Sequence, residues 1–214
     1  MKVRTFADGE SLAWEAATLV AGALREGVRT LVLTGGSTPR RTYELLAGMD
    51  APWGRVSVLF GDERCVPPDD PESNYLMAKV TLLDRVYPAS VHRMPAELGP
   101  EAGAELYEEV VSRVGPLDLV LLGIGPDGHI ASLFPGHPQL EADGLAVGVR
   151  NSPKPPSERV SLTLGVLQGA RRVVVLVSGA DKAEAVAKAR DGLVPAGMVP
   201  QAEFLLDRAA AARL

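Results

Sequence analysis

The strongest constraint on this chain is its alternation of short apolar runs with amphipathic stretches. Thr30 to Thr34 (TLVLT), Val56 to Phe60 (VSVLF), Leu117 to Leu122 (LDLVLL) and Arg172 to Val177 (RVVVLV) are rich in Val and Leu. Runs that stay apolar at successive positions fit strands buried on both faces of a parallel sheet. Helical periodicity covers Leu12 to Glu26, Thr38 to Met49, Glu72 to Leu83, Glu101 to Val114 and Lys182 to Arg190. Shorter strands are expected at Ser90 to Met94, Ala146 to Arg150, Arg159 to Leu164 and Glu203 to Leu206. This order predicts an α/β fold, Rossmann-like: a doubly wound, mainly parallel sheet with helices on both faces. Ligands of such sheets bind beyond the carboxyl ends of the strands, so motifs at those ends carry the most information.

A chain of 214 residues, 46% of them hydrophobic, can bury one substantial core, and residues 1–214 read as one domain. No repeat or flexible linker interrupts it; Asn151 to Ser157 (NSPKPPS) is proline-stiffened and reads as a shaped loop. The net charge is -5 and the cations are scattered, which argues against a nucleic-acid partner and leaves anionic small molecules open. The single cysteine, Cys65, excludes an internal disulfide and a multi-cysteine metal site. The N-terminal MKVRTFADGE places charges where a signal peptide needs an apolar core, and no apolar run reaches membrane-spanning length. A cytoplasmic protein with no membrane partner is expected, and both a monomer and a small homo-oligomer stay open.

Three strand ends carry chemistry. The first reads Thr34-Gly35-Gly36-Ser37-Thr38-Pro39. Its glycines allow a tight turn, Ser37 or Thr38 can cap the following helix, and free N–H groups at a positive helix end make an anion site. A capped turn with no ligand is the plainer alternative. The second strand end places Asp62, Glu63 and Arg64 together, either as a solvated edge or as a polar site at the sheet mouth. The third is Gly123-Ile-Gly-Pro-Asp-Gly-His-Ile-Ala-Ser-Leu-Phe134, which contains a literal G-x-G-x-x-G. The dinucleotide reading fails there, because the expected helix after Gly128 meets Pro135 within about two turns and no acidic residue ends the following strand. His129 falls in the first turn of that short helix, where the dipole disfavours an imidazolium and leaves a neutral base. A lone histidine is more often a packing residue, and His92 and His137 fit that description better.

Further along, Lys154 and Arg159 occupy the stiff NSPKPPSER loop, and Val177-Ser-Gly-Ala-Asp-Lys182 sets Lys182 at a helix start, where the dipole disfavours a cation and a lysine is more easily explained if it meets an anion. Each of the three is unremarkable alone; with the TGGSTP turn they make a phosphate site plausible. No histidine or carboxylate spacing suggests a metal.

The ordered set LTGGSTP, GDERCVPPDDPESNY, GIGPDGHIASLFPG, PKPPSERVSLTLG and VSGADKA resembles the 6-phosphogluconolactonases over nearly the whole chain. These belong to a larger group with the glucosamine-6-phosphate isomerases/deaminases. The resemblance implies hydrolysis of a sugar-phosphate lactone without metal or cofactor. It makes His129 the catalytic base, supported by Asp127, and Arg64 a substrate-positioning arginine. Gly36, Ser37 and Thr38 match the sugar-phosphate turn, Lys154 and Arg159 the cationic loop, and Lys182 a phosphate-binding lysine. Asp62 takes the place of the proton-abstracting base of the deaminases. Those enzymes continue D-G-H-I-A with Phe-Asn-Glu-Pro, whereas this chain has Ser132-Leu133-Phe134-Pro135 and no carboxylate. They also carry Asp-Glu-Tyr where this chain has Asp62-Glu63-Arg64. Both departures favour the lactonase over a deaminase. A non-catalytic sugar-phosphate sensor is the remaining alternative, and Met1 to Glu10 leaves no room for its helix-turn-helix.

Overall fold

Burial on both faces decides how the strands are used. The computed structural model describes residues 1–214. The chain begins with β1 (Lys2–Phe6), α1 (Gly9–Arg25), β2 (Thr30–Leu33), α2 (Ser37–Leu46), β3 (Ser57–Phe60) and β4 (Asp62–Arg64). It continues with α3 (Asn74–Ala78), α4 (Asp84–Val86), β5 (Ser90–Val91), α5 (Pro100–Val114), β6 (Leu119–Gly123), β7 (Ala146–Val149) and β8 (Arg159–Leu162). It ends with α6 (Leu164–Gly169), β9 (Arg172–Val177), α7 (Ala183–Arg190) and β10 (Glu203–Asp207). Leu31, Val32 and Leu33 of β2, Leu119 to Leu122 of β6 and Val173 to Val177 of β9 are at most 2% exposed. Strands this apolar need protein on both sides.

Seven strands form a parallel sheet in the order β1-β10-β9-β6-β2-β3-β5, flanked by helices in a single-domain α/β fold of the expected kind. Chain order runs outward from the middle: β2, β3 and β5 one way, β6, β9 and β10 the other. The switch point therefore lies between β2 and β6, whose carboxyl ends lead into TGGSTP and GIGPDGH. No helix is long and apolar enough to cross a membrane.

A second, antiparallel sheet of three strands, β4-β8-β7, was not foreseen. Asp62, Glu63 and Arg64 are not the polar end of β3 but form β4, with Asp62 opposite Ser161 and Arg64 opposite Arg159. Gly61 joins the two sheets: its N–H donates to the Leu33 carbonyl and its own carbonyl accepts from Leu162 N–H. β1 and α6 also went unforeseen, since KVRTF is a mixed edge strand and LGVLQG is too short for a helical period. The helix expected from Glu72 begins at Asn74, because the Ser73 side chain accepts from Leu76 N–H and caps it; the π-helical turn Lys79–Leu83 then joins α3 to α4. The strand expected over Ser90 to Met94 pairs only at Ser90 and Val91.

A strand that ends inside the molecule leaves backbone groups that the ladder no longer pairs. Two buried tyrosines do this at neighbouring strand ends. The Tyr43 hydroxyl accepts from Thr34 N–H and donates to Thr34 C=O, each at 2.9 Å. The Tyr107 hydroxyl accepts from Phe60 N–H at 2.8 Å and donates to Phe60 C=O at 3.1 Å. Burial pushes both phenols up, so each keeps the proton it donates. Replacing Tyr43 or Tyr107 with Phe leaves a buried donor and acceptor unpaired. Each change should cost about 1–3 kcal/mol, read as a lower urea midpoint with an unchanged slope.

Candidate active site

The turn after β2 is shaped for an anion. Gly36 occupies the helix cap position with φ 113°, and no side chain caps α2. This corrects the expectation that Ser37 or Thr38 closes the helix end. Both hydroxyls and the first N–H groups of the helix are left without an internal partner, facing the cleft with the positive end of the dipole.

The loop after β6 uses its glycines for packing and turn geometry. A Cβ at Gly125 would lie 2.1 Å from the His129 ring, and one at Gly128, where φ is +90°, would lie 2.5 Å from Val194. The short helix expected after Gly128 does not form. Ile130 and Leu133 bridge across a tight turn in which Ala131 has φ 48°. The helix-dipole explanation for a neutral His129 therefore falls, and burial takes its place. His129 Nδ1 meets Asp127 Oδ1 at 2.6 Å, and the ring packs on buried Phe134 with centroids 4.5 Å apart. Burial weakens the imidazole's hold on a proton and the Lys154 charge adds to this; Asp127 and Asp62 oppose them, and the net direction is down. Burial alone would raise the Asp127 carboxyl, but His129 and then Lys154 outweigh it and hold it below its ordinary value. An ionised Asp127 takes the Nδ1 proton as its partner, which leaves Nε2 with a lone pair and no protein donor.

Asp62 is buried, and its carboxylate accepts from Asn74 Nδ2 at 3.0 Å and from Ser132 Oγ at 2.7 Å. Glu63 caps α3: it accepts from the N–H groups of Asn74 and Tyr75, each at 2.8 Å, and from Ser73 Oγ at 3.0 Å. Burial still raises its carboxyl. Arg64 lines the cleft and donates to the Glu72 carbonyl at 2.5 Å, while its Nε has no partner. Burial pushes the Cys65 thiol up to about 11, away from the thiolate range.

The two cations of the NSPKPPSER loop separate. Arg159 is not part of the loop but the first residue of β8, and it is buried. Its guanidinium reaches back to the loop carbonyls of Lys154, Pro155 and Pro156 at 3.1–3.2 Å and stands 5.7 Å from the centroid of the Phe134 ring. Three of its donors brace the loop. The Lys154 ammonium has no carboxylate partner. At the end of β9, Asp207 accepts from Ser178 Oγ at 2.6 Å and from Gly179 N–H at 3.0 Å, fixing the turn that leads to Lys182. Lys182 pairs only with the exposed Asp181, at 3.0 Å.

These segments meet in one cleft of about 300 Å³ at the switch point. Gly36, Ser37, Thr38, Asp62, Arg64, His129, Lys154, Arg159 and Lys182 all line it, and Asp127 stands behind His129. Four cations against one carboxylate make it locally positive in a chain of net charge -5. Asn74, Ser178 and Phe134 were not singled out from sequence. The helix expected from Glu72 contains Asn74, but nothing local signals the folding of Asn74, Ser178 and Phe134 onto the site.

A family profile described as glucosamine-6-phosphate isomerases/6-phosphogluconolactonase matches residues 7–207. A 6-phosphogluconolactonase of Mycobacterium leprae is 39% identical over 99% of this chain and 98% of its own length. The crystal structure of a 6-phosphogluconolactonase from Thermotoga maritima superposes with a TM-score of 0.87 at 29% identity, covering 96% of this chain and 98% of that one. A solved monomeric glucosamine-6-phosphate deaminase superposes equally well, with a TM-score of 0.87 at 25% identity and full coverage of both chains.

The geometry around His129 has a measurable consequence. Its imidazole should titrate below the ordinary histidine value of about 6.5 when followed by NMR. Asp127→Asn removes the group that favours the cation, so the midpoint should fall further; a rise would reverse the balance described above.

Proposed function

The chain belongs to the glucosamine-6-phosphate isomerase/6-phosphogluconolactonase family, and from that premise we propose that it hydrolyses 6-phospho-D-glucono-1,5-lactone to 6-phospho-D-gluconate in the oxidative branch of the pentose phosphate pathway. On this reading residues 1–214 are one sugar-phosphate lactonase domain. The observation that carries it is the pairing, in one cleft, of an uncapped helix N-terminus with a histidine whose Nδ1 is held by Asp127 and whose Nε2 is unused.

The phosphate sits at the first turn of α2, on the N–H groups and hydroxyls of Gly36, Ser37 and Thr38, with Lys182 facing it across the switch point. Lys154 and Arg64 meet the sugar and the lactone, Asp62 fixes the site's polar wall, and Arg159 holds the loop that carries Lys154. With C1 positioned, neutral His129 takes a proton through Nε2 from the water that attacks the carbonyl. Arg64 stabilises the oxyanion as it forms. When the tetrahedral intermediate collapses, the bond from C1 to the ring oxygen breaks, and the imidazolium returns its proton to that oxygen. The carboxylic acid formed then ionises. Positioning contributes because the lactone is held rather than encountered. The lactone is an activated ester, so one acid-base residue suffices. No metal or cofactor enters the scheme.

The isomerase/deaminase reading deserves a direct comparison because a deaminase shares the fold. The position where the deaminase pattern has a glutamate is here Phe134, buried against the His129 ring. Ammonia release from glucosamine 6-phosphate without lactone hydrolysis would select that branch instead.

His129→Ala should lower kcat by about 10²- to 10⁴-fold with little change in KM, measured as lactone loss above spontaneous hydrolysis; near-wild-type turnover would remove His129 from the mechanism. Lys182→Ala should chiefly raise KM. Because the reaction needs the neutral imidazole, kcat/KM should fall as pH drops through the lowered His129 pKa, with the acid limb below about pH 6.5.

A further inference from the structure

Asn74 has one hydrogen-bonding group that the fold leaves unused. The residue is 3% exposed and lines the cleft. Its Nδ2 donates to the Asp62 carbonyl and to Asp62 Oδ1, each at 3.0 Å. A backbone carbonyl has no hydrogen to give, so only the NH₂ end of the amide can face it. Oδ1 is thereby turned toward Gly35, so close that a Cβ at Gly35 would lie 2.0 Å from it. No protein donor reaches this oxygen. The sealed side-chain polar atoms without a partner are Trp53 Nε1 and Arg64 Nε, so the Asn74 oxygen is open to the cleft.

An acceptor beside an anion-binding turn does not serve the anion, since a phosphate dianion has no hydrogen to offer it. It suits a hydroxyl. We propose that Asn74 is a substrate-binding residue whose Oδ1 accepts a hydrogen bond from a ring hydroxyl of the sugar phosphate. The inference rests on the lactonase reading for its polyhydroxylated substrate. The amide is already locked by Asp62, so no rotamer freedom is lost on binding. A substrate lacking that hydroxyl leaves the oxygen desolvated and unpaired, which makes Asn74 a source of discrimination against deoxy sugars.

The test is kinetic. The lactone and its 2-, 3- and 4-deoxy forms are compared in the wild type and in Asn74→Ala. In the wild type one deoxy lactone should lose roughly tenfold or more in kcat/KM, and in Asn74→Ala that penalty should vanish while the parent lactone falls by a similar factor. Equal penalties at every position in both proteins would overturn the proposal, as would a wild type indifferent to every deoxygenation. Asn74→Ala also strips a donor from Asp62, so Gly35→Ala serves as the second variant: it displaces the oxygen with the amide retained and should erase the same penalty. Calorimetric binding of glucose 6-phosphate and its 2-, 3- and 4-deoxy forms reads the same coupling without turnover. A wild type that binds these with the expected pattern but hydrolyses no lactone would sink the lactonase reading and keep Asn74; the reverse result would do the opposite.

Discussion

The site depends on how the strands of the parallel sheet are allowed to end. Beyond the last ladder bond a strand still carries donors and acceptors, and in a buried position these need partners from elsewhere. Tyr43 supplies them at Thr34, Tyr107 at Phe60 and Asp207 at the Ser178-Gly179 turn. Because those partners are side chains, the backbone is free to diverge, and the cleft opens between β2 and β6. The same bonds fix where TGGSTP and the turn before Lys182 point. Satisfying the backbone and positioning the ligand groups are thus one operation.

Charge follows the same logic. An arginine as buried as Arg159 needs its donors filled, and three consecutive carbonyls of the Lys154 loop fill most of them, with Ser132 Oγ at 3.5 Å. Ser132 also donates to Asp62, whose nearest oxygen is 3.9 Å from the guanidinium, so the opposed buried charges are linked through a hydroxyl. Burial lowers the guanidinium's hold on its proton against the pull of Asp62. A guanidinium committed in this way shapes the loop and leaves Lys154 as its cation without a carboxylate partner.

Much of this was legible from sequence where the signal is local. The apolar runs identified β2, β3, β6 and β9, and strand-end reasoning selected TGGSTP, GDER, GIGPDGH and VSGADK, which do converge on one cleft. What escaped was non-local. Nothing in Asp62-Glu63-Arg64 announces that it leaves one sheet to pair with β8, nearly a hundred residues later. Glu63 reads as surface charge until Ser73, Asn74 and Tyr75 are folded onto it. The helix expected after Gly128 failed because Gly128 and Ala131 both take positive φ and turn the chain back before a helical hydrogen bond can close.

That failed helix changes the account of His129 and sharpens the division between the two branches of the family. A dipole acts through backbone that any sequence could supply; burial acts through particular side chains. Phe134 is fully buried, lies against the imidazole, and has the Arg159 guanidinium 5.7 Å from its ring centroid. An aromatic ring there adds to the burial that lowers the imidazole's hold on a proton, and it fills the space in which a carboxylate would have to stand. A carboxylate in the same place would instead favour the imidazolium, through an opposite charge in low dielectric. An apolar ring and a carboxylate at this one position thus push the proton affinity of the imidazole in opposite directions.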